Sequence, residues 1–527
     1  MSNSATITPK QEPAVANQNT WLLIAGLAAF KLLLHLLTNT NYEFHRDELL
    51  YWALSNHLDW GYFSVPPAIA GWLAALRPLI GDSVFAVRLL PALFGAASVV
   101  IIGLLVCEFG GKAWAIVLAS AAFIVSPAFL RTNTMYQPVF FNQFYWLLSI
   151  FLMVKLLNSR LPKYMIFIGL LWGWAFLNKY SIVFLAAGLL AGLLLTPQRK
   201  LLRHRNSLFA AIAGLLMISP NIFWQHANGW PVFAHFQMLQ ESQFANVQIS
   251  EFFLMQLLMN AHALLLWLAG LVFLLFTKSG KKYRAIGFGI VALFAILIAI
   301  KGKAYYTLGI YPALFAAGGA AVEQFATQKW RWLNPLLLGL MLLSALPLVP
   351  FGLPVLGQNA MIKHAKWSQF MGTAEALRWE DGKMHDLPQD YADMIGWREI
   401  GNLGIAAWQK LTPAERDSAI IYTENYGQAG AIWYYGRPEN LPQPISFSDN
   451  YLFWVPEKIQ FNTFIYVNDE LGEDIQQMFG NIELAGSLDN PLARENGVQV
   501  YICRDPKPEF LEYAAGIAKR IKQSLHH

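Results

Sequence analysis

Three charged residues, Arg46, Asp47 and Glu48, stand together in NYEFHRDELLYW between the first two strongly apolar stretches of the chain. Two adjacent carboxylates beside a guanidinium can move a proton or hold a polar group, or they can simply cap a helix start, where exposed N–H groups favour negative charge. The same connection continues through Trp52, Trp60, Tyr62 and Phe63 to Pro66 and Pro67, which restrict the path of the loop as it returns to apolar sequence. Further cations follow: Arg88 in FAVRLLPALFG, Arg131 before NTMYQP, Lys179 in NKYS, and Lys301 and Lys303 in KGKAYY. A cation beside a membrane is costly unless partnered, so this set points to a bound anion. The plain alternative is that each snorkels to lipid headgroups.

The elements that must position these residues are spans. Of 527 residues, 56% are hydrophobic and 13% charged, which excludes a large soluble enzyme and indicates a polytopic helical membrane protein. Runs long enough to cross a bilayer begin near Trp21, Val84, Ala113, Pro138, Tyr164, Ser181, Leu208, Phe252, Ala285, Thr307 and Leu333, about eleven in all. The first lacks a basic leader and a small-residue cleavage site, so it reads as a retained span. The connections holding Lys112, Arg160 and Lys163, Arg199 to Arg205, Lys278 to Arg284, and Lys329 and Arg331 alternate along the chain, which assigns them to the cytoplasm. The anion-facing cations and Asp47 then lie outside, as does everything beyond Phe351. Cys107 and Cys503 fall on opposite faces and cannot pair.

Beyond Phe351 the composition shifts to charged residues and turns. Helical patterns around Trp397 to Leu411, in GQAGAIWYYG and in GEDIQQMF alternate with strand-like SAIIYTENY, TFIYVND and GVQVYICRD, and EFLEYAAGIAKRIKQ closes the chain as an amphipathic helix. The expected organisation is a tail over 1–20, a membrane domain over 21–351 and an external α/β domain over 352–527. TENYGQAG lacks a complete GxGxxG and an acidic partner, so it carries only a weak nucleotide signal. No nucleic-acid partner is expected.

Several fragments, HRDELLYW, DWGYFSVPPAIAGW, FAVRLLPALFG, NTMYQPVFFNQFYW, WGWAFLNKYSIVFL, SPNIFWQHANGWPVF and KGKAYYTLGIYPAL, together resemble the bacterial glycosyltransferase family 39 and 83 group. Its relatives are the protein O-mannosyltransferases and the lipid A aminoarabinose transferase. LPQDYADMIGW and ENYGQAGAIWYYG extend the resemblance into the external domain. It implies the GT-C fold, a catalytic first external loop, and transfer of a sugar from a polyprenyl (undecaprenyl) phosphate donor to a lipid A, glycan or protein acceptor at the periplasmic face of a bacterial inner membrane.

In that reading Asp47 is the base for the acceptor and Glu48 orients it or shares its proton. The leaving phosphate is stabilised by Lys179 with Tyr180, by Lys301 and Lys303 with Tyr305 and Tyr306, by Arg88 and by Arg131. Arg46, Trp60, Tyr62, Pro66 and Pro67 form the substrate loop. Relatives often carry an acid where this chain has Asn142, which puts a second carboxylate in doubt. His45 and His226 could hold a divalent metal, although neither has ligand spacing to a partner in the sequence; an inverting displacement at a phosphate-activated sugar does not need one, so no metal or other cofactor is assigned. A transporter or flippase of a lipid-linked sugar is the main alternative, although no internal repeat supports it.

Overall fold

A computed structural model describes residues 17–241, 249–326 and 328–524. Residues 1–16 of the expected tail lie outside the described residues. The membrane half comprises α1 (Gln18–Leu36), α2 (Arg46–Leu54), α3 (Ala68–Ile80), α4 (Val84–Glu108), α5 (Ala113–Ile124), α6 (Pro127–Thr132), α7 (Pro138–Ser159), α8 (Lys163–Phe176), α9 (Ile182–Leu194), α10 (Arg205–Ala227), α11 (Pro231–Leu239), α12 (Ile249–Met259), α13 (Leu264–Phe276), α14 (Arg284–Ala299), α15 (Tyr311–Phe325) and α16 (Leu333–Ala345). Polar side chains set several starts. Asn17 caps α1, His45 caps α2 and Ser83 caps α4 by accepting from backbone N–H groups of the first turn.

Each of the expected span starts falls at or beside the beginning of a helix, yet fewer helices have the length to cross a bilayer. Among the described residues six are long and apolar enough, or up to eight if each bent pair is one span. The reason is visible in α5 and α15, which are short; most of α5 and the stretch Tyr311–Ala320 of α15 are buried, so these segments pack inside the bundle rather than facing lipid. The apolar α3, absent from the sequence count, is added to the short group. Small residues let backbones approach where side chains would clash. A Cβ on Gly192 of α9 would strike the carbonyl of Ala285 on α14, and one on Gly169 of α8 would strike that of Ala210 on α10.

The carboxy-terminal half contains a four-stranded sheet of β1 (Ala419–Thr423), β2 (Thr463–Asn468), β3 (Phe479–Ser487) and β4 (Gln499–Pro506), in the order β1-β2-β4-β3. β1 and β2 run parallel, and the other pairs are antiparallel. Three of these strands match the sequence pattern. β3 does not, because FGNIELAGS carries two glycines and a bulge between Leu484 and Gly486 that break its alternation.

The two halves share one hydrophobic core. It joins Leu49, Trp52 and Ile69 of the membrane half to Trp397, Ile400 and Ile432 of the carboxy-terminal half. Helix Tyr426–Gly436 lies against α2 with Gly430 at the crossing, where a Cβ would come within 2.8 Å of Leu49 Cβ. Trp52 meets Trp433 and Tyr434 edge-on, which fixes the rotation of the helix pair. On the far face of the sheet, Phe461, Phe464 and Phe479 pack against Phe510 of the carboxy-terminal helix Pro508–Ser524.

Candidate active site between the membrane loops and the outer domain

A cavity of about 580 Å³ opens where the segment between α1 and α3, the α8–α9 turn, α10, α11 and the carboxy-terminal domain, called here the outer domain, meet. Asp47, on the first turn of α2, reaches into it with its side chain 27% exposed. Both carboxylate oxygens are held: Tyr426 OH donates to Oδ1 at 2.8 Å and Gln137 Nε2 donates to Oδ2 at 2.9 Å. Arg46 lays its guanidinium over the Tyr426 ring at 4.6 Å. Asp47 is thus oriented from α7 on one side and from the outer domain on the other.

Lys179 lines the same cavity from the α8–α9 turn, with Tyr180. Among the described residues its Nζ makes no hydrogen bond or ion pair, which leaves its donors for a ligand. The turn is tied to the segment between α2 and α3 by Ala68 N–H donating to Leu177 O at 2.8 Å, directly after Pro66 and Pro67. Pro66 lines the cavity, and Pro67 sits at the start of α3. Tyr180 OH donates to Asn221 Oδ1 and accepts from Gln225 Nε2, so α10 fixes its ring. Tyr305 and Tyr306 complete the polar wall, and Lys303 stands 5.8 Å from the Tyr305 ring.

Other expected residues lie elsewhere, for physical reasons. Glu48 has no exposed surface; it accepts from His45 N–H and Tyr136 N–H at 2.8 Å each and is paired with Arg88 at 2.7 Å. Arg88 is equally buried and spends its remaining donors on the carbonyls of Asn39, Tyr42 and Glu43. The acceptor role for Glu48 and the phosphate role for Arg88 are therefore corrected: the two residues hold the loop together. Arg131 pairs with Asp390 of the outer domain and does not line the cavity. Lys301 is exposed, in a left-handed backbone conformation at φ 52°, and is also off the cavity. Trp60 is 57% exposed and contributes its carbonyl, which accepts from Asn221 Nδ2 at 2.7 Å. Tyr62 is buried with its hydroxyl on His57 O, so it shapes the loop from within.

His45, Asp390 and Asp393 bring three potential metal-ligand atoms within 4.8 Å of one another. The donor set does not fit a metal. His45 Nδ1 accepts from Asp47 N–H at 3.1 Å, so the ring proton sits on Nε2, the nitrogen that faces the two carboxylates. Ligation through Nε2 would put a second N–H against that of Asp47 and undo the cap of α2. Arg131 and Arg494 already balance the two acids. Although burial opposes the charge on Asp390, Arg131 outweighs it and lowers its pKa, whereas burial prevails at Asp393 and raises it. The cluster is a clasp between α2 and the outer domain, reinforced by Arg46 N–H on Asp393 O. His226 is exposed, away from these acids.

Sequence reasoning missed Gln137, Tyr426, Asn221, Gln225, His235 and Asp449, all of which line the cavity. Gln137, Asn221 and Gln225 lie inside fragments singled out for their resemblance, and Tyr426 inside ENYGQAG; these fragments were the signal that could have found them, while His235 and Asp449 lie in none. Asn142 is buried and accepts from Ser181 OH at 3.1 Å, so no acid stands there.

The chain superimposes on ArnT from Cupriavidus metallidurans bound to undecaprenyl phosphate with a TM-score of 0.61, covering 92% of this chain and 98% of that one at 14% identity. Residues 64–224 match the family described as dolichyl-phosphate-mannose-protein mannosyltransferase (PMT). The chain is PMT- and ArnT-like, with the GT-C fold. This PMT- and ArnT-like chain is accordingly a multi-pass membrane protein. The apo form of the same ArnT gives a TM-score of 0.57 at 13% identity, again over 92% of this chain and 98% of that one. Lipid A galacturonosyltransferase RgtD of Rhizobium johnstonii is 28% identical over 192 residues, which is 35% of this chain and 40% of that relative. The chain thus spans less than half the length of that curated relative.

Proposed function

We propose that this chain is an integral-membrane glycosyltransferase that moves a sugar from a polyprenyl phosphate carrier to a hydroxyl or amine acceptor on the external side of a bacterial inner membrane. The observation that carries this reading is that Asp47 and Lys179, a fixed carboxylate and a cation with free donors, face one cavity. Asp47 takes the proton of the acceptor as its oxygen or nitrogen attacks the anomeric carbon. The bond from that carbon to the phosphate oxygen breaks, and the electron pair leaves with the carrier phosphate. Lys179 and the Tyr305 and Tyr306 hydroxyls stabilise the charge that grows there, while Tyr180, whose proton is committed to Asn221, shapes the wall beside Lys179.

An apolar groove of about 430 Å³ runs between α8, α9 and α10 and shares Phe176 and Val183 with the cavity. A hydrocarbon tail lying in it would present its phosphate beside Lys179. The ArnT likeness supports an undecaprenyl carrier, and the RgtD likeness supports a lipid A or related envelope acceptor. The test is incubation of purified protein with labelled polyprenyl-phosphate sugars and candidate acceptors. Asp47→Asn abolishes transfer while the carrier stays bound; full transfer by that variant removes Asp47 from the step. Translocation of the lipid-linked sugar without a new glycosidic bond would instead favour a flippase.

A further inference from the structure

A second carboxylate faces the cavity, and it comes from the outer domain. Asp449 lines the same wall as Asp47 and Tyr426. Its backbone is left-handed at φ 51°, a conformation disfavoured for most residues that carry a Cβ and common at sites where a side chain must be aimed. The segment is pinned in that pose. Asn450 N–H donates to Asp449 Oδ1 at 2.7 Å, and Asn450 Oδ1 in turn accepts from Phe63 N–H at 3.0 Å. Asp449 is therefore fastened to the first external loop, with Ser64 next to the anchor.

The groups around it come from every neighbouring element. Arg46, Asp47 and Tyr51 face it from α2, Ser64 from the loop, and Tyr426 from its own helix, while Lys179 lines the same cavity. Asp47 already accepts one fixed donor on each oxygen. Asp449 accepts Asn450 N–H on Oδ1 and a hydrogen bond from the Ser64 hydroxyl, which leaves the carboxylate, with about four lone-pair sites, capacity for a further donor. Burial pushes its carboxyl up to about 6; the Ser64 hydroxyl and Asn450 N–H pull it back, Asp47 adds to the rise and Arg46 opposes it. A carboxylate in that setting gains most from a ligand that donates a hydrogen bond.

We propose that Asp449 is the second substrate-contacting carboxylate of this site, accepting a hydrogen bond from the hydroxyl or ammonium group that enters beside Asp47 and orienting it for proton transfer. The inference rests on the glycosyl-transfer reading above. It gives the outer domain a direct part in substrate recognition. The ionised form is the working one, because only that form accepts through both oxygens.

The experiment is the pH dependence of transfer in wild type, Asp449→Asn, Asp449→Glu and Ser64→Ala, with undecaprenyl phosphate binding measured as the control for folding. Wild-type kcat/KM falls as pH drops through about 6. Asp449→Asn lowers kcat/KM roughly ten- to a hundred-fold, moves that acid limb to lower pH and keeps carrier affinity. Asp449→Glu recovers part of the rate, and Ser64→Ala moves the limb to higher pH. Asp449→Asn with the wild-type rate and acid limb, in a protein that Asp47→Asn inactivates, overturns this inference alone. No transfer by the wild type with any donor overturns the functional reading and this inference with it.

Discussion

Arg88 tests whether buried charge in this loop is structural or catalytic. Arg88→Met keeps much of the side-chain length but leaves Glu48, which has no exposed surface, without its counter-ion. It also strips donors from the carbonyls of Asn39, Tyr42 and Glu43. Glu48 would keep only the N–H groups of His45 and Tyr136. Breaking a buried ion pair from one side costs about 3–5 kcal/mol. At the usual unfolding entropy per residue, a chain of this length loses about 1 °C of melting temperature per kcal/mol, so the expected drop is about 3–5 °C.

The assay is thermal unfolding in detergent followed by tryptophan fluorescence, together with undecaprenyl phosphate binding at a temperature where both proteins are folded. The double variant Glu48→Leu with Arg88→Met removes both charges and recovers more than half of the loss, because no uncompensated ion remains. A wild-type melting point with weakened carrier binding would refute the structural assignment and return Arg88 to the phosphate site.

Lys179→Ala weakens undecaprenyl phosphate binding roughly ten- to a hundred-fold, whereas Lys301→Ala changes it less than about twofold, since Lys301 is off the cavity; binding isotherms that reverse this order move the anion site. Tyr426→Phe removes one of the two donors that orient Asp47 and slows transfer about tenfold with carrier affinity intact; an unchanged rate means Gln137 alone suffices. Asp449 also has a stability signature. Its folded pKa of about 6 lies above the ordinary aspartate value of 3.8, so the folded state holds more protons than the unfolded one, and stability declines as pH rises through that window. Asp449→Asn lacks this decline, and its melting temperature gains on wild type between about pH 4.5 and 7.5 by an amount equivalent to about 1–3 kcal/mol; a constant difference across that range contradicts the shift.

The membrane half was largely legible because apolar runs and basic connections are local signals, and every expected start lies at or beside a helix. Which runs cross and which are buried was not, since α15 owes its burial to the helices around it and not to its own composition. The site divided in a similar way. Asp47 and Lys179 stood out as charges beside apolar sequence, and both reach the cavity. Glu48 was misassigned because adjacent residues on a helix point about 100° apart. Two neighbouring carboxylates therefore cannot share one face, and only the packing of α2 decides which of them turns inward. Arg88 looked like an interfacial cation for the same reason: its partner lies forty residues earlier in the chain.

Asp449 illustrates the deeper limit. In ISFSDNYLF it reads as part of a polar turn, and no periodicity marks it. Its significance comes from the Asn450 to Phe63 contact, which joins residues far apart in sequence. The same holds for Tyr426, whose hydroxyl reaches Asp47 across the junction of the two halves. Asp47 is held by one donor from α7 and one from the outer domain, so its orientation exists only while the halves stay docked. The Trp52 aromatic contacts, the His45 clasp and the Arg131 to Asp390 pair all lie on that junction. In the proposed reading the outer domain is thus not a cover laid over a finished membrane site: it supplies one wall, one of the two donors on the base and a second carboxylate, and the site is complete only where the two halves meet.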